Sequence, residues 1–127
     1  AGVSTVKVSA VGYMLLQVLE GHVGVYVLTR SGTKKWDSCA GEALLVAEGG
    51  VVTDAVGRRY TYGEEHHLNL CGLLAARDAQ LHADAARVVR ETVEPWPLDV
   101  VDPSIEEEPL DVVDPSIEEE PPLPASV

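Results

Sequence analysis

A layered α/β fold is what the sequence predicts over residues 1–94, and three observations lead to it. Short β-branched and aromatic runs alternate with segments whose apolar residues recur at the helical period. Glycines stand where one kind of segment gives way to the other, at Gly12, Gly21, Gly49 and Gly50. At Pro95 the composition changes, and beyond it basic residues cease.

Residues 3–9 alternate loosely between apolar and polar and read as a short strand leading to Gly12. Residues 11–20 are rich in helix formers and end at Gly21, a suitable helix C-terminal cap. Residues 23–29 form a β-branched and aromatic run of strand length. In residues 36–48, Cys39, Ala43, Leu44 and Ala47 recur three to four apart, so a helix is expected from Asp37 or just after, with those four as its apolar face and Gly49-Gly50 as its stop. Residues 51–53 and 59–62 flank a turn containing Gly57 and read as a strand pair, and residues 70–76 as a further strand. Asp78 is a candidate N-cap for a helix over residues 78–93, with Leu81, Ala85, Val88 and Val89 sharing a face.

The formal charge of −12 is a property of one end. Residues 95–127 hold ten Asp or Glu and no Lys, Arg or His, leaving −2 for residues 1–94. Within that end the twelve residues 97–108 (PLDVVDPSIEEE) are repeated unchanged as 109–120. A proline-punctuated acidic repeat of this period matches no solenoid, so residues 95–127 are expected to be a disordered acidic tail, the alternative being a short linear motif displayed twice. A near-neutral body with an acidic tail argues against nucleic-acid polymer and anionic membrane as partners, because phosphate-bearing surfaces are bound by basic ones. No apolar run is long enough to cross a bilayer, and two cysteines, Cys39 and Cys71, read as small buried hydrophobes of a reducing compartment, so a cytoplasmic location is expected.

Chemistry concentrates in Lys34-Lys35-Trp36-Asp37-Ser38-Cys39-Ala40-Gly41 and the residues that follow through Gly49-Gly50. A carboxylate at a helix N-terminus, after a large aromatic and before small residues, is placed to hold a divalent cation or organise a phosphate site. The plainer role of Asp37 is to cap its helix, that of Trp36 to line the core or a pocket wall, and that of Lys34 and Lys35 to lie solvated on the surface. Glu42 and Glu48 read as helix-surface carboxylates, His22 and His82 as surface residues, and His67 as support for a turn.

The run Trp36-Asp37-x-x-Ala40-Gly41-x-x-x-Leu45-x-x-x-Gly49-Gly50 resembles the second signature of the inositol monophosphatase superfamily, the lithium-sensitive phosphatases of small phosphomonoesters. The resemblance extends over about residues 3–93, as the C-terminal half of that family's α/β/α sandwich. Lys34 to Ala40, Thr53-Asp54 with Gly57, and His67-x-Asn69-x-x-Gly72-Leu73-Leu74-Ala75 are similar to the bisphosphate nucleotidase branch. Inositol polyphosphate phosphatases follow, on Gly12-Tyr13 and Trp36 to Cys39. Monophosphatases come third, since Arg30 stands where they place a glutamate.

The resemblance implies magnesium-assisted hydrolysis, with Asp37 as a metal ligand and Gly12, Lys34 and Lys35 as substrate-binding residues. It implies a small phosphorylated partner, adenosine 3′,5′-bisphosphate or an inositol polyphosphate. The family's other metal carboxylates, from an upstream Glu pair and an Asp-Pro-x-Asp-Gly-Thr segment, have no counterpart ahead of Asp37 in this chain, and Met14 takes the position of a nucleotide-contacting lysine. No catalytic residue is therefore assigned here, and the chain by itself is expected to turn over little or nothing. A non-catalytic remnant or regulatory binding module is the alternative of another class.

Overall fold

The computed structural model describes residues 2–5, 7, 10–63 and 67–93. Its elements are α1 (Val11–Leu19), β1 (Val25–Leu28), β2 (Thr33–Lys34), α2 (Lys35–Ala47), β3 (Val51–Thr53), β4 (Leu68–Asn69), β5 (Leu73–Ala76) and α3 (Ala79–Thr92). The α/β class read from the sequence is the class observed. The repeated acidic segment, 95–127, lies outside the described residues.

Three strands form the main sheet in the order β1-β5-β3, and both pairings are antiparallel. Val25 and Val51 flank Ala76, and Tyr26 and Val52 flank Ala75. β1 and β3 are thus parallel to each other, joined through β2 and α2, with the later strand β5 inserted between them. All four residues of β5 are buried, as befits a central strand covered on both faces. On one face Tyr26, Val52, Leu73 and Ala75 pack with Met14, Leu15 and Val18 of α1 and Leu45 of α2. On the other, Thr53, of opposite parity to Val52, meets His82 of α3.

The helix ends obey their local chemistry. Gly21 closes α1 in the left-handed region at φ +79°, and Asp78 caps α3 by accepting the Leu81 N–H at 2.7 Å. Helices α1 and α2 approach closely at Gly41, where a Cβ would lie 2.5 Å from Leu15 Cδ1.

Several expectations are corrected. Gly2 to Thr5 and Lys7 form no strand and are exposed, Val3 at 96%, because their loose alternation meets no partner; the other residues of 3–9 are not described. Residues 59–62 form no ladder with β3. Instead the turn is closed by Asp54, whose Oδ1 accepts the N–H groups of Val56 (3.0 Å) and Arg58 (2.7 Å) and whose Oδ2 accepts Arg58 Nε (2.7 Å), with Gly57 at φ +98°. The strand expected over 70–76 begins at Leu73, since Leu70 and Cys71 form a turn.

Both apolar helix faces are rotated from those expected. In α2 the buried residues are Lys35, Ser38 and Leu45, whereas Cys39, Ala43, Leu44 and Ala47 are exposed. The close approach at Gly41 turns α2 so that this side meets α1 and β3. In α3 the buried residues are His82, Ala86 and Val89, while Leu81 and Val88 are largely exposed. His82 is therefore no surface residue: it is 3% exposed, with Nε2 2.8 Å from Thr53 Oγ1. Thr53 Oγ1 also lies 2.7 Å from the Asp54 carbonyl, and the His82 tautomer sets which way the hydroxyl–imidazole bond runs. Burial lowers the His82 pKa, against a smaller upward pull from the Leu74 backbone.

Candidate metal and phosphate site

The site begins where a strand turns directly into a helix. β2 and β4 pair antiparallel, Thr33 opposite Asn69 and Lys34 opposite Leu68, and the Lys35 N–H donates to the His67 carbonyl at 2.7 Å. Helix α2 starts at Lys35, two residues before the expected position, so Asp37 is its third residue. The Asp37 side chain reaches back, and its Oδ2 accepts the Lys34 N–H at 2.8 Å. Carboxylates are favoured there by the helix dipole and by the unpaired N–H groups of the first turn. Capping and ligation are compatible for Asp37, since one oxygen serves the backbone and the residue is exposed.

The other residues singled out divide around this turn. Lys34 is exposed, with Nζ 4.9 Å from the centre of the Trp36 ring. Trp36 is 59% exposed rather than core, and its ring centre lies 5.8 Å from that of His67. Lys35 points the other way and is buried, with Nζ 3.8 Å from the Tyr60 ring centre and 5.9 Å from that of Tyr62. Gly12 stands apart, exposed in the first turn of α1 with open space where a Cβ would be.

Beneath Lys35 the Tyr62 hydroxyl donates to Glu42 Oε2. Burial pushes the Glu42 carboxyl up, against the Tyr62 hydrogen bond and the charges of Lys35 and Arg59; burial and the same carboxylate push the Tyr62 phenol far up. Glu42 is thus half-buried and partnered, not a plain surface carboxylate. Tyr60 is buried, its hydroxyl donating to the Gly72 carbonyl at 2.9 Å and accepting the Cys71 N–H at 3.0 Å. Sequence reasoning missed this aromatic cluster by reading residues 59–62 as a strand. Its signal was the Tyr60-x-Tyr62 spacing, which puts both rings on one side of extended backbone. Cys71 is buried as expected, whereas Cys39 is exposed on α2.

Magnesium takes near-octahedral oxygen ligands, usually one or two carboxylates completed by waters and phosphate oxygens. Among the described residues no group of three His, Cys, Asp or Glu is gathered where it could hold a metal ion. Asp37 offers one carboxylate with one oxygen already engaged. These residues offer one candidate carboxylate and do not by themselves fit a complete magnesium site.

An α/β sheet with helices on both faces, carrying an exposed carboxylate at the start of α2, is the class that fold and site define. The profile described as the inositol monophosphatase family matches residues 2–94, and the chain belongs to that family. It is 40% identical over 74 residues to the mouse protein named 3′(2′),5′-bisphosphate nucleotidase 1, covering 58% of this chain and 24% of that one. It is 43% identical over 74 residues to a Drosophila melanogaster protein carrying the provisional name inositol monophosphatase 3, covering 58% of this chain and 21% of that one. To human inositol polyphosphate 1-phosphatase it is 46% identical over 43 residues, 34% of this chain and 11% of that one. The chain spans about a quarter of the length of the nucleotidases it matches. Among the described residues no helix is long and apolar enough to cross a membrane.

Proposed function

We propose that this chain is the C-terminal portion of a magnesium-dependent phosphomonoesterase acting on small phosphorylated metabolites, first of all 3′(2′),5′-bisphosphate nucleotides such as adenosine 3′,5′-bisphosphate. Inositol polyphosphates are the second substrate class. The observation that carries the reading is the exposed Asp37 carboxylate, held by the Lys34 N–H at the start of α2 inside the Trp36-Asp37 signature. Asp37 would give one oxygen to a magnesium ion, which would supply polarisation of phosphoryl oxygens and activation of water; the described residues gather no complete ligand set around it. The α2 N-terminus favours the negative charge of a phosphate near it. Lys34, exposed beside Trp36, is the lysine better placed to meet that phosphate, while Lys35 is held against Tyr60.

Met14 favours a second reading, a non-catalytic binding module. It occupies the position of the nucleotidase lysine and is 5% exposed in the core, where it gives a ligand neither charge nor contact.

Complementation separates the two. The chain is co-expressed with the part of the mouse nucleotidase outside its matched 74 residues. Phosphate release from adenosine 3′,5′-bisphosphate and inositol 1,4-bisphosphate is then measured with magnesium, with and without lithium. The phosphatase reading expects release that is lost with lithium and lost in Asp37→Asn. A soluble assembled pair that releases nothing from either substrate would leave the binding module standing.

A further inference from the structure

We propose that Asn69 is a positioning residue that sets the first turn of α2 and, through the Lys34 peptide, the direction of the Asp37 carboxylate. The proposal rests on Asp37 being the functional carboxylate of this site. Asn69 is fully buried on β4, opposite Thr33 of β2. Its Nδ2 lies 3.1 Å from Thr33 Oγ1, 3.2 Å from the Lys34 carbonyl and 3.1 Å from Ser38 Oγ. One amide group thus bonds the strand, the residue between strand and helix, and the first turn of the helix. Two protons serve three acceptors, so one of them is shared.

The chemistry of the partners orients the amide. The Lys34 carbonyl only accepts, and the hydroxyl of Ser38 is directed at the Lys35 carbonyl, 3.4 Å away, so both call for the nitrogen. The Asn69 Oδ1 is then turned away and is buried with no partner among the described residues. An unpaired buried acceptor costs stability, and the three bonds donated by the nitrogen offset that cost; an apolar side chain of similar volume would leave Thr33 Oγ1, the Lys34 carbonyl and Ser38 Oγ without this donor.

Their consequence is at Lys34, whose peptide groups are gripped from both sides. Its N–H is bound by Asp37 Oδ2 and its carbonyl by Asn69. Since Oδ2 is engaged, Oδ1 is the Asp37 oxygen left to meet a ligand, and its direction would follow the backbone that Asn69 holds. The neighbouring Lys35 N–H is tied to the His67 carbonyl of the segment entering β4, but that bond uses backbone alone. Asn69 is the side chain through which this junction is specified.

Residue-resolved amide exchange on the full chain tests the assignment. In Asn69→Ala the Lys34 N–H is expected to lose about tenfold in protection, equal to about 1.4 kcal/mol or one hydrogen bond, and to match Asp37→Ala, which removes the acceptor itself. Leu74 in β5 and Val89 in α3 should keep wild-type protection. An unchanged Lys34 N–H, or a loss spread equally over β5 and α3, overturns the proposal, the second by showing a general structural role. The wild-type chain provides a readout that survives a variant failing to fold: the Asn69 side-chain amide protons must exchange slowly and open together with the Lys34 N–H. Exchange at the rate of a free side chain overturns the proposal. Adding Mn²⁺ examines the metal reading separately. If no line broadening depends on Asp37, ligation fails as a reading while the exchange result still decides the role of Asn69.

Discussion

Two glycines that share a backbone conformation differ in what surrounds them, and replacing each by alanine separates torsional strain from collision. Gly49 sits at φ +81° after α2 with nothing within 4 Å of an added Cβ. Gly72 sits at φ +73° before β5, where the added Cβ would lie 2.0 Å from the Leu28 carbonyl oxygen and 3.2 Å from Ala55 Cβ. Gly49→Ala should cost only the left-handed strain, about 1–2 kcal/mol. In Gly72→Ala the same strain is joined by a contact that no rotamer relieves, because the obstacle is backbone. Relief requires the end of β1 to withdraw from β5 at the Leu28–Leu73 pair, losing ladder bonds worth about 1 kcal/mol each and loosening a fully buried leucine. A total of about 3–5 kcal/mol is expected, a large part of the roughly 5–15 kcal/mol that holds a small domain together. Urea unfolding followed by far-ultraviolet circular dichroism, with midpoint and slope fitted for both variants, gives the two values. If Gly72→Ala falls within about 1 kcal/mol of Gly49→Ala, the β1–β5 closure described above is wrong.

Two further outcomes follow from buried polar groups. Tyr60→Phe keeps the ring under Lys35 but removes the donor to the Gly72 carbonyl and the acceptor for the Cys71 N–H, so it should lower stability by about 1–3 kcal/mol in the same urea assay. A loss under about 0.5 kcal/mol would mean that other groups satisfy both backbone atoms. His82 is held neutral by burial, so its folded pKa lies below the unfolded value of about 6.5. Its contribution is complete above pH of about 6.5, and stability falls as acidification protonates the unfolded chain first, by at most about 1.4 kcal/mol per pH unit. His82→Gln should flatten that slope, and a variant with the wild-type slope would assign it to another group.

The parts of the fold legible in the sequence are those encoded locally. Gly21, Gly49-Gly50 and Asp78 mark helix ends because φ sign and capping are properties of a few adjacent residues, and all four stand where helices stop or start. Helix faces proved harder to read. The apolar period of α2 identified a helix, yet the side that packs was chosen by Gly41 meeting Leu15, a contact between distant segments. The two-residue strands β2 and β4 carry too little pattern to be read at all. At the site, Trp36-Asp37 was legible because the signature is contiguous. Asn69, 31 residues from Ser38, acquires its meaning only when β4 is laid beside β2.

The placement of β5 also bears on how the chain reaches this structure. Among the described residues β1 and β3 have no bond to each other in the main sheet; each is joined to β5, which follows both in the chain. Until residues 73–76 arrive, neither earlier strand has its native ladder partner, and both pairings must then close long loops at once. The local α1 and α2 can form early, but the order β1-β5-β3 closes only when β5 is in place, a non-local step that is slow for its size. During that interval the edges of β1 and β3 are open to pairing with other chains, so conditions that delay β5 are expected to favour aggregation over a partly built fold.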